Sequence, residues 1–133
     1  MARSPDQITG IVVNEAYRLH RRLGPGLLET VYEAILARMI ERRGVCVERQ
    51  KSISFEVDGL AFRDGFRVDL LLDGQVIVEL KAVENLSPVH SRQLLTYLRL
   101  TDLRVGLLIN FGAARMVDGI HRVVNQYEGS SGR

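Results

Sequence analysis

The chain contains 133 residues, the length of one domain, and 46% of them are hydrophobic while 26% are charged. This ordinary composition excludes a disordered chain, and the lone cysteine, Cys46, excludes a disulfide framework and a cysteine-rich zinc site. No apolar run approaches the ~18 residues that span a bilayer, and residues 1–10 lack the apolar segment of a secretion signal. We therefore expect a cytoplasmic protein with no membrane partner.

The net charge of +2 is too small to indicate nucleic-acid binding by itself. Residues 1–52 hold nine basic and six acidic side chains, a balance of +3, whereas the remainder holds nine and ten, a balance of −1. Several arginines fall in helical patterns: Arg18, Arg21, Arg22, Arg38, Arg42 and Arg43. Basic helices beside an acidic site would suit a phosphate-backbone ligand, although solvated helix faces are the simpler explanation.

Two helices are predicted at the start of the chain. Ser4-Pro5-Asp6-Gln7 favours a helix start, because Ser4 can cap the helix, proline fits the first turn and Gln7 completes a capping box. Apolar residues then recur at helical spacing over residues 8–23, and Gly24-Pro25-Gly26 ends this pattern. A second apolar stripe over residues 28–40 predicts another helix, with Gly44 as its C-terminal cap.

Short strands are predicted in the middle of the chain, at residues 45–49, 53–57, 60–63, 67–72 and 75–80, with hairpin turns at Asp58-Gly59 and Asp73-Gly74. Ser87-Pro88 begins a third helix that reaches about residue 100. Residues 104–110 predict a buried strand and residues 117–124 a last one. This order indicates an α/β or α+β domain with a mixed sheet. We assign residues 1–127 to one domain and residues 128–133 to a flexible tail.

The hairpin over residues 67–81 has an apolar face and a mixed face, and the mixed face carries Arg67, Asp69, Glu79 and Lys81. The apolar face takes Val68, Leu70, Leu72, Val76, Val78 and Leu80. A two-residue loop would send Asp69 and Glu79 to opposite faces and bury one of them, at a cost of several kcal/mol. We therefore predict a three-residue loop or a bulge, which places Asp69 opposite Glu79 at a Cβ separation of roughly 5 Å.

Two carboxylates that close repel each other unless a cation lies between them. Mg²⁺ or Mn²⁺ suits such oxygen ligands and usually keeps several waters. Lys81, on the same face, could orient or deprotonate a metal-bound water or stabilise a developing negative charge. The alternative is a salt bridge between Lys81 and one or both acids. The sequence Val-Ile-Val-Glu-Leu-Lys is too apolar for an exposed edge, which favours the metal site.

Five sequence blocks occur in a fixed order over about residues 6–125: Gly26-Leu27-Leu28-Glu29-Thr30-Val31-Tyr32, Phe66-Arg67-Val68-Asp69-Leu70-Leu71, Val78-Glu79-Leu80-Lys81-Ala82-Val83-Glu84, Gln93-Leu94-Leu95-Thr96-Tyr97-Leu98 and Gly106-Leu107-Leu108-Ile109-Asn110-Phe111-Gly112. Together they resemble the PD-(D/E)xK nuclease superfamily, and within it the GxxExxY proteins. The resemblance implies a restriction-endonuclease-like core, in which a mixed central sheet is flanked by helices and a metal site lies at the opened hairpin.

The resemblance also implies a function, the hydrolysis of phosphodiester bonds in DNA or RNA by a metal-activated water. Asp69 and Glu79 would bind Mg²⁺ or Mn²⁺, with the Leu80 carbonyl and Glu29 completing the site. Lys81 would be the catalytic base or charge stabiliser, and Gln93 would be the polar catalytic residue of the following helix. Without the resemblance, Glu29 is explained by its favourable interaction with a helix dipole. Gln93 would then either hydrogen-bond a metal-bound water or phosphate or be a surface amide.

Three further side chains are candidates for nucleic-acid contacts. Arg67 shares a face with Asp69 and would contact either phosphate or an acid. His20 and Tyr97 would face the substrate, and a helix-surface role for His20 and a packing role for Tyr97 are the alternatives. The expected protein is a nuclease, and a non-catalytic nucleic-acid-binding or interaction module with the same fold is the alternative. A monomer of this size would grip only a short stretch of backbone, so a homodimer would help it to cut a duplex.

Overall fold

Two N-terminal helices, a five-stranded sheet and a third long helix make up the structure, a computed structural model that describes residues 2–126. The predicted tail at residues 128–133 lies outside the described residues. The helices are α1 (Pro5–Leu23), α2 (Glu29–Glu41), α3 (Pro88–Thr101) and the short α4 (Met116–Gly119). The strands are β1 (Val47–Val57), β2 (Leu60–Leu72), β3 (Val76–Lys81), β4 (Val105–Asn110) and β5 (Ile120–Val124).

The strands lie in the sheet in chain order, β1-β2-β3-β4-β5. Neighbours are antiparallel except for β3 and β4, which run parallel and are joined through α3. A parallel pair needs such a crossover, because a tight turn reverses the chain direction. The predicted mixed sheet with flanking helices is therefore confirmed.

Two hydrophobic clusters cover the two faces of the central strands. On one face α1 and α2 pack against alternate residues of β3, namely Val76, Val78 and Leu80. On the other face Leu94 and Leu98 of α3 pack against Ile77 of β3. This two-sided burial explains why β3 and β4 are almost continuously apolar. In the part of the chain that the structure describes, no helix is long and apolar enough to cross a membrane.

The predicted helix boundaries are confirmed at both capping boxes. The Gln7 N–H donates to Ser4 Oγ at 3.2 Å, and the Ser4 N–H donates to Gln7 Oε1 at 2.8 Å. Ser87 caps α3 in the same way, with His90 as its partner. α1 ends at Gly24, whose φ of 68° is a conformation that favours glycine.

The outer strands are longer than the sequence predicted. Four short strands were expected over residues 45–63 and 67–72, but β1 and β2 form one long hairpin with its turn at Asp58-Gly59. The prediction was wrong because residues 50–52 stay within the paired hairpin, and residues 64–65 lie at a bulge or irregularity of the pairing rather than in a loop. One irregularity lies between Ile53 and Phe55, where the Phe55 ring covers Gly65 so closely that a Cβ there would lie 2.2 Å from it.

The hairpin between β2 and β3 has the predicted three-residue loop. Leu72 pairs with Val76 and Leu70 with Val78, which places Asp69 across from Glu79. The expected uniform apolar face of β2 is wrong at one residue, however, because Val68 packs in the α3 cluster while Leu70 packs under α1 and α2. The alternation fails because the strand is irregular at Asp69, where side-chain hydrogen bonds replace the regular ladder.

Candidate active site

Asp69 and Glu79 lie side by side where β2 and β3 separate. The strand pairing ends at Leu70 and Val78, and carboxylates take over the hydrogen bonds beyond it. The Asp69 N–H donates to Glu79 Oε2 at 2.7 Å, and the Leu80 N–H donates to Asp69 Oδ2 at 2.8 Å. Each carboxylate is thus oriented by the other strand's backbone, so both point into the same opening.

Burial and crowding make this pair electrostatically unusual. Glu79 is only 8% exposed, and burial together with the nearby charge of Asp69 raises its pKa to about 8. Burial and Asp69 also raise the pKa of Glu29, while the Lys81 ammonium opposes the shift for both glutamates. Glu29, Asp69, Glu79 and Lys81 therefore act on one another within one site, as the sequence predicted for their positions.

Glu29 is held at this site by a rigid loop. It is the first residue of α2, and the loop before it is fastened by the fully buried Tyr32. The Tyr32 hydroxyl donates to the Gly24 carbonyl at 2.5 Å and accepts from the Leu27 N–H at 3.1 Å. Its ring stacks on Phe111 with centroids 4.6 Å apart. The buried Tyr32 therefore both packs in the core and fixes the start of α2.

Lys81 ends β3 and is half-buried. The alternative of a direct salt bridge with Asp69 or Glu79 is wrong, since no ion pair within 4.0 Å among residues 2–126 includes Lys81. Its charge nevertheless lowers the pKa of Glu29 and Glu79 from a longer distance. The ammonium is therefore close to the carboxylates but is not neutralised by contact with them.

Gln50 and Glu33 join the site without having been assigned to it from the sequence. The Gln50 Nε2 donates to Glu33 Oε1 at 2.7 Å and to Asp69 Oδ1 at 3.3 Å. Glu33 is 2% exposed, and Arg49 donates from Nε to its other oxygen at 3.1 Å. The Glu33 carboxylate, which is paired with Arg49, can only accept hydrogen bonds. The Gln50 side chain therefore turns its NH₂ group towards Glu33, and the same NH₂ group faces Asp69.

The conformation of Gln50 could not be read from the sequence. Its φ of 49° is rare for a residue with a side chain and costs about 1–3 kcal/mol, which proteins tolerate mainly at functional sites. Nothing in Arg49-Gln50-Lys51 signals this bend. The helical spacing of Glu29, Tyr32 and Glu33 was the only available hint, since it places Glu33 one turn beyond the site acid.

The oxygen donors of the opening fit a hard divalent cation. Among residues 2–126 no three His, Cys, Asp or Glu side chains cluster closely enough to hold a metal, so two carboxylates would be the principal protein ligands. Glu79 Oε1 accepts no hydrogen bond from the described residues, and since no buried polar side-chain atom among them lacks a partner, solvent must reach it. Two carboxylates with open positions match Mg²⁺ or Mn²⁺, which keep several waters.

The remaining predicted residues lie at different distances from this opening. Tyr97 stacks on Phe66 with centroids 4.1 Å apart, and burial, with the charges of Glu79 and Asp69, raises the pKa of its hydroxyl. Gln93 lies one turn earlier on α3 and is exposed, as is Arg67 on β2. His20 is 9% exposed, and its Nε2 lies 2.8 Å from the Ala113 carbonyl. Nucleic-acid contacts by Arg67, His20 and Tyr97 stay predictions.

Comparison with known proteins identifies the family. A family profile described as the PD-(D/E)XK nuclease superfamily matches residues 6–123, and the chain therefore belongs to this superfamily. Searches of curated proteins and of solved structures each give no significant match. The match begins at the second residue of α1 and ends one residue before the end of β5. It includes Glu29, Asp69, Glu79 and Lys81.

Replacing Gln50 with asparagine tests whether the amide positions Asp69. Asparagine tolerates a positive φ but is too short to reach both carboxylates, so we expect Gln50→Asn to weaken Mn²⁺ binding by roughly 10–100-fold. Isothermal titration calorimetry measures this. Gln75→Ala is the control, because Gln75 donates to the Arg3 carbonyl and not to a site carboxylate. Equal Mn²⁺ affinities for Gln50→Asn and the unaltered protein would show that Gln50 has no positioning role.

Proposed function

We propose that the protein is a Mg²⁺- or Mn²⁺-dependent nuclease of the GxxExxY branch, which hydrolyses phosphodiester bonds in DNA or RNA. The observation that carries this proposal is the pair of carboxylates, Asp69 and Glu79, at the opening between β2 and β3. Each of them accepts a hydrogen bond from a backbone N–H of the opposite strand. A buried acid whose pKa is about 8, beside a second carboxylate and an ammonium, is costly for the fold. Such perturbed groups are typical of active sites.

Asp69 and Glu79, with the Leu80 carbonyl, would hold the cation, and Glu29 would lie beside it without being a third carboxylate ligand. A divalent cation there would supply a water of lowered pKa and a positive charge beside the scissile phosphate. Asp69 and Glu79 are pre-oriented by the backbone N–H groups of the opposite strand, so little reorganisation is needed before a ligand binds. The cation would relieve the repulsion between these two carboxylates.

Lys81 would act on the charge that develops during hydrolysis. Because the ammonium makes no ion pair within 4.0 Å among residues 2–126, its hydrogens remain available to a phosphate oxygen. Gln93 and the Tyr97 hydroxyl, one turn apart on α3, would hydrogen-bond the phosphate or its water. The exposed Arg67 would contribute a further contact to the phosphate backbone, whereas His20 is buried against the Ala113 carbonyl. A homodimer would place two such sites on the two strands of a duplex.

A cleavage assay with an inactivated variant tests the proposal. Plasmid, single-stranded DNA and RNA are incubated with Mg²⁺, with Mn²⁺ and with EDTA, beside Asp69→Asn. We expect cleavage of at least one substrate that requires the metal and is lost in Asp69→Asn, because the amide is a poor cation ligand. Cleavage that survives in Asp69→Asn would place the activity elsewhere. Nucleic-acid binding without cleavage would favour the alternative of a non-catalytic binding module.

A further inference from the structure

We propose that the surface formed by Leu27, Leu28, Val31, Arg21 and Arg22, here called the α2 entry surface, binds an unstacked nucleotide beside the scissile phosphate. Substrates with a bulge, a flap or a single-stranded segment would then be preferred over a regular duplex. The inference rests on the proposed nuclease function and names the substrate class for the same site.

The N-cap residue of α2, Leu28, is poorly suited to capping a helix. Leu28 makes no side-chain cap hydrogen bond and is 74% exposed. By contrast, α1 and α3 are capped by Ser4 and Ser87 in full capping boxes. An aliphatic N-cap stabilises a helix less than serine or asparagine does, and an exposed leucine gains nothing from burial. Stability does not explain this residue, whereas contact with a ligand does.

The loop holds Leu28 rigidly in solvent. The Val31 and Tyr32 N–H groups donate to the Leu28 carbonyl at 3.0 and 3.3 Å. The Tyr32 hydroxyl, bonded to Gly24 and Leu27, fastens the rest of the loop. Neither leucine can fold back onto the core without breaking these bonds. Because the backbone is held in this way, only the side-chain rotamers of Leu28 have to be ordered when a ligand binds.

The same loop brings Leu28 next to the catalytic carboxylates. Its Cα lies about 3.8 Å from that of Glu29, as for any neighbours in a chain. Glu33, one turn after Glu29 on α2, is joined to Asp69 through the Gln50 amide, so the first turn of α2 lies beside the carboxylates of the site. A contact at Leu28 would therefore involve a nucleotide adjoining the scissile phosphate.

Charge favours nucleic acid as the occupant over a second copy of the chain. Leu27 and Val31 are also exposed, at 43% and 38%, and the last turn of α1 adds the exposed Arg21 and Arg22. Neither arginine takes part in an ion pair within residues 2–126. Aliphatic side chains unstack bases by wedging between them, and arginines bind the flanking phosphates.

An exposed apolar patch at the tip of the β1–β2 hairpin has the opposite charge. Leu60 and Phe62, at the tip of the β1–β2 hairpin, are 62% and 43% exposed. The acidic residues Glu56, Asp58 and Asp64 surround them, with Arg63 as the only basic residue of the tip. Phosphates would be repelled there. The hairpin tip therefore provides a matched control for an exposed leucine that does not contact nucleic acid.

The experiment compares Leu28→Asn with Leu60→Asn, each in an Asp69→Asn background that does not cleave. Fluorescence anisotropy measures binding to a fully paired duplex and to the same duplex with a one-nucleotide bulge. We expect Leu28→Asn to weaken binding of the bulged probe about five- to tenfold and that of the paired probe less than twofold. Leu60→Asn should change neither affinity. Because asparagine is a good N-cap, Leu28→Asn should also raise the melting temperature.

Several results would overturn the inference. They are unchanged affinity for the bulged probe in Leu28→Asn, an equal loss in Leu60→Asn, and absence of binding to either probe. A change from dimer to monomer in Leu28→Asn with unchanged affinity would instead make the surface an interface between copies. If the unaltered protein cleaves and Leu28→Asn keeps its affinity, this inference alone fails. If the unaltered protein cleaves nothing while Leu28→Asn loses bulge binding, only the nuclease function fails.

Discussion

Replacing Lys81 with methionine is expected to lower the rate of metal-dependent cleavage by roughly 10²–10³-fold, the usual cost of removing one charged donor to a developing negative charge. Methionine preserves most of the aliphatic stem, and Lys81 makes no ion pair within 4.0 Å among residues 2–126. The substitution therefore leaves no acidic group without an ion-pair partner, and the melting temperature of the protein should change little. Single-turnover cleavage measured at saturating protein isolates the chemical step from binding.

Lys51 supplies a matched control, because it is the only other lysine of the chain. Its ammonium lies on β1 and pairs with Glu48 at 3.1 Å on the surface. Lys51→Met removes the same charge from the protein, so it should reproduce any general loss of attraction to phosphates and leave the single-turnover rate unchanged. A similar fall in rate for both variants would mean that Lys81 acts only through the net charge. Lys81→Arg should recover part of the rate, since it keeps the positive charge.

The second large effect is expected in stability, from Glu79. Its pKa is about 8 in the folded protein because of burial and the Asp69 charge, and 4.5 is the ordinary value for a glutamate. Between pH 4.5 and about pH 8, the Glu79 carboxyl group is ionised in the unfolded chain but protonated in the folded protein. The stabilising contribution is therefore complete below about pH 4.5 and is lost as the pH rises through about 8. We expect the metal-free protein to lose a few kcal/mol of stability over this interval.

Glu79→Gln removes this titration, so its free energy of unfolding should be less sensitive to pH and higher than that of the unaltered protein at pH 8.5. Urea denaturation in EDTA at a series of pH values measures both. The control is Glu41→Gln, which changes an exposed glutamate at the end of α2. If the pH dependence of Glu79→Gln equals that of the unaltered protein, another group is responsible. Stabilisation by Mn²⁺ should also grow towards pH 8, because binding must release the Glu79 proton.

The amino-acid sequence was sufficient to predict several parts of the site. The loop length between β2 and β3 followed from the cost of burying a carboxylate, and the observed pairing of Leu72 with Val76 confirms it. The capping box at Ser4 and the helix start at Ser87 depend on local hydrogen bonds within a few residues, which is why they could be predicted. The superfamily followed from the order of five sequence blocks, and the family profile confirms it.

Other features depended on contacts between distant residues. The polar interruptions of β1 and β2 were predicted to be loops, yet pairing along the hairpin keeps residues 50–52 in the ladder and accommodates residues 64–65 at an irregularity. The predicted face of Val68 was also wrong. Side chains alternate strictly between the two faces only in a regularly paired strand, and the regular pairing of β2 with β3 stops before Asp69.

The sequence by itself determined the starts of α1 and α3 and the register of the β2–β3 hairpin, since these depend on local spacing and on the cost of burying charge. Only the tertiary structure decided that Gln50 joins Glu33 to Asp69, with a φ of 49°. It also decided that Lys81 stays out of contact with the acids and that Leu28 is held in solvent beside them. These features arise where α2, β1 and β3 meet, and no local pattern encodes the distance between separate elements.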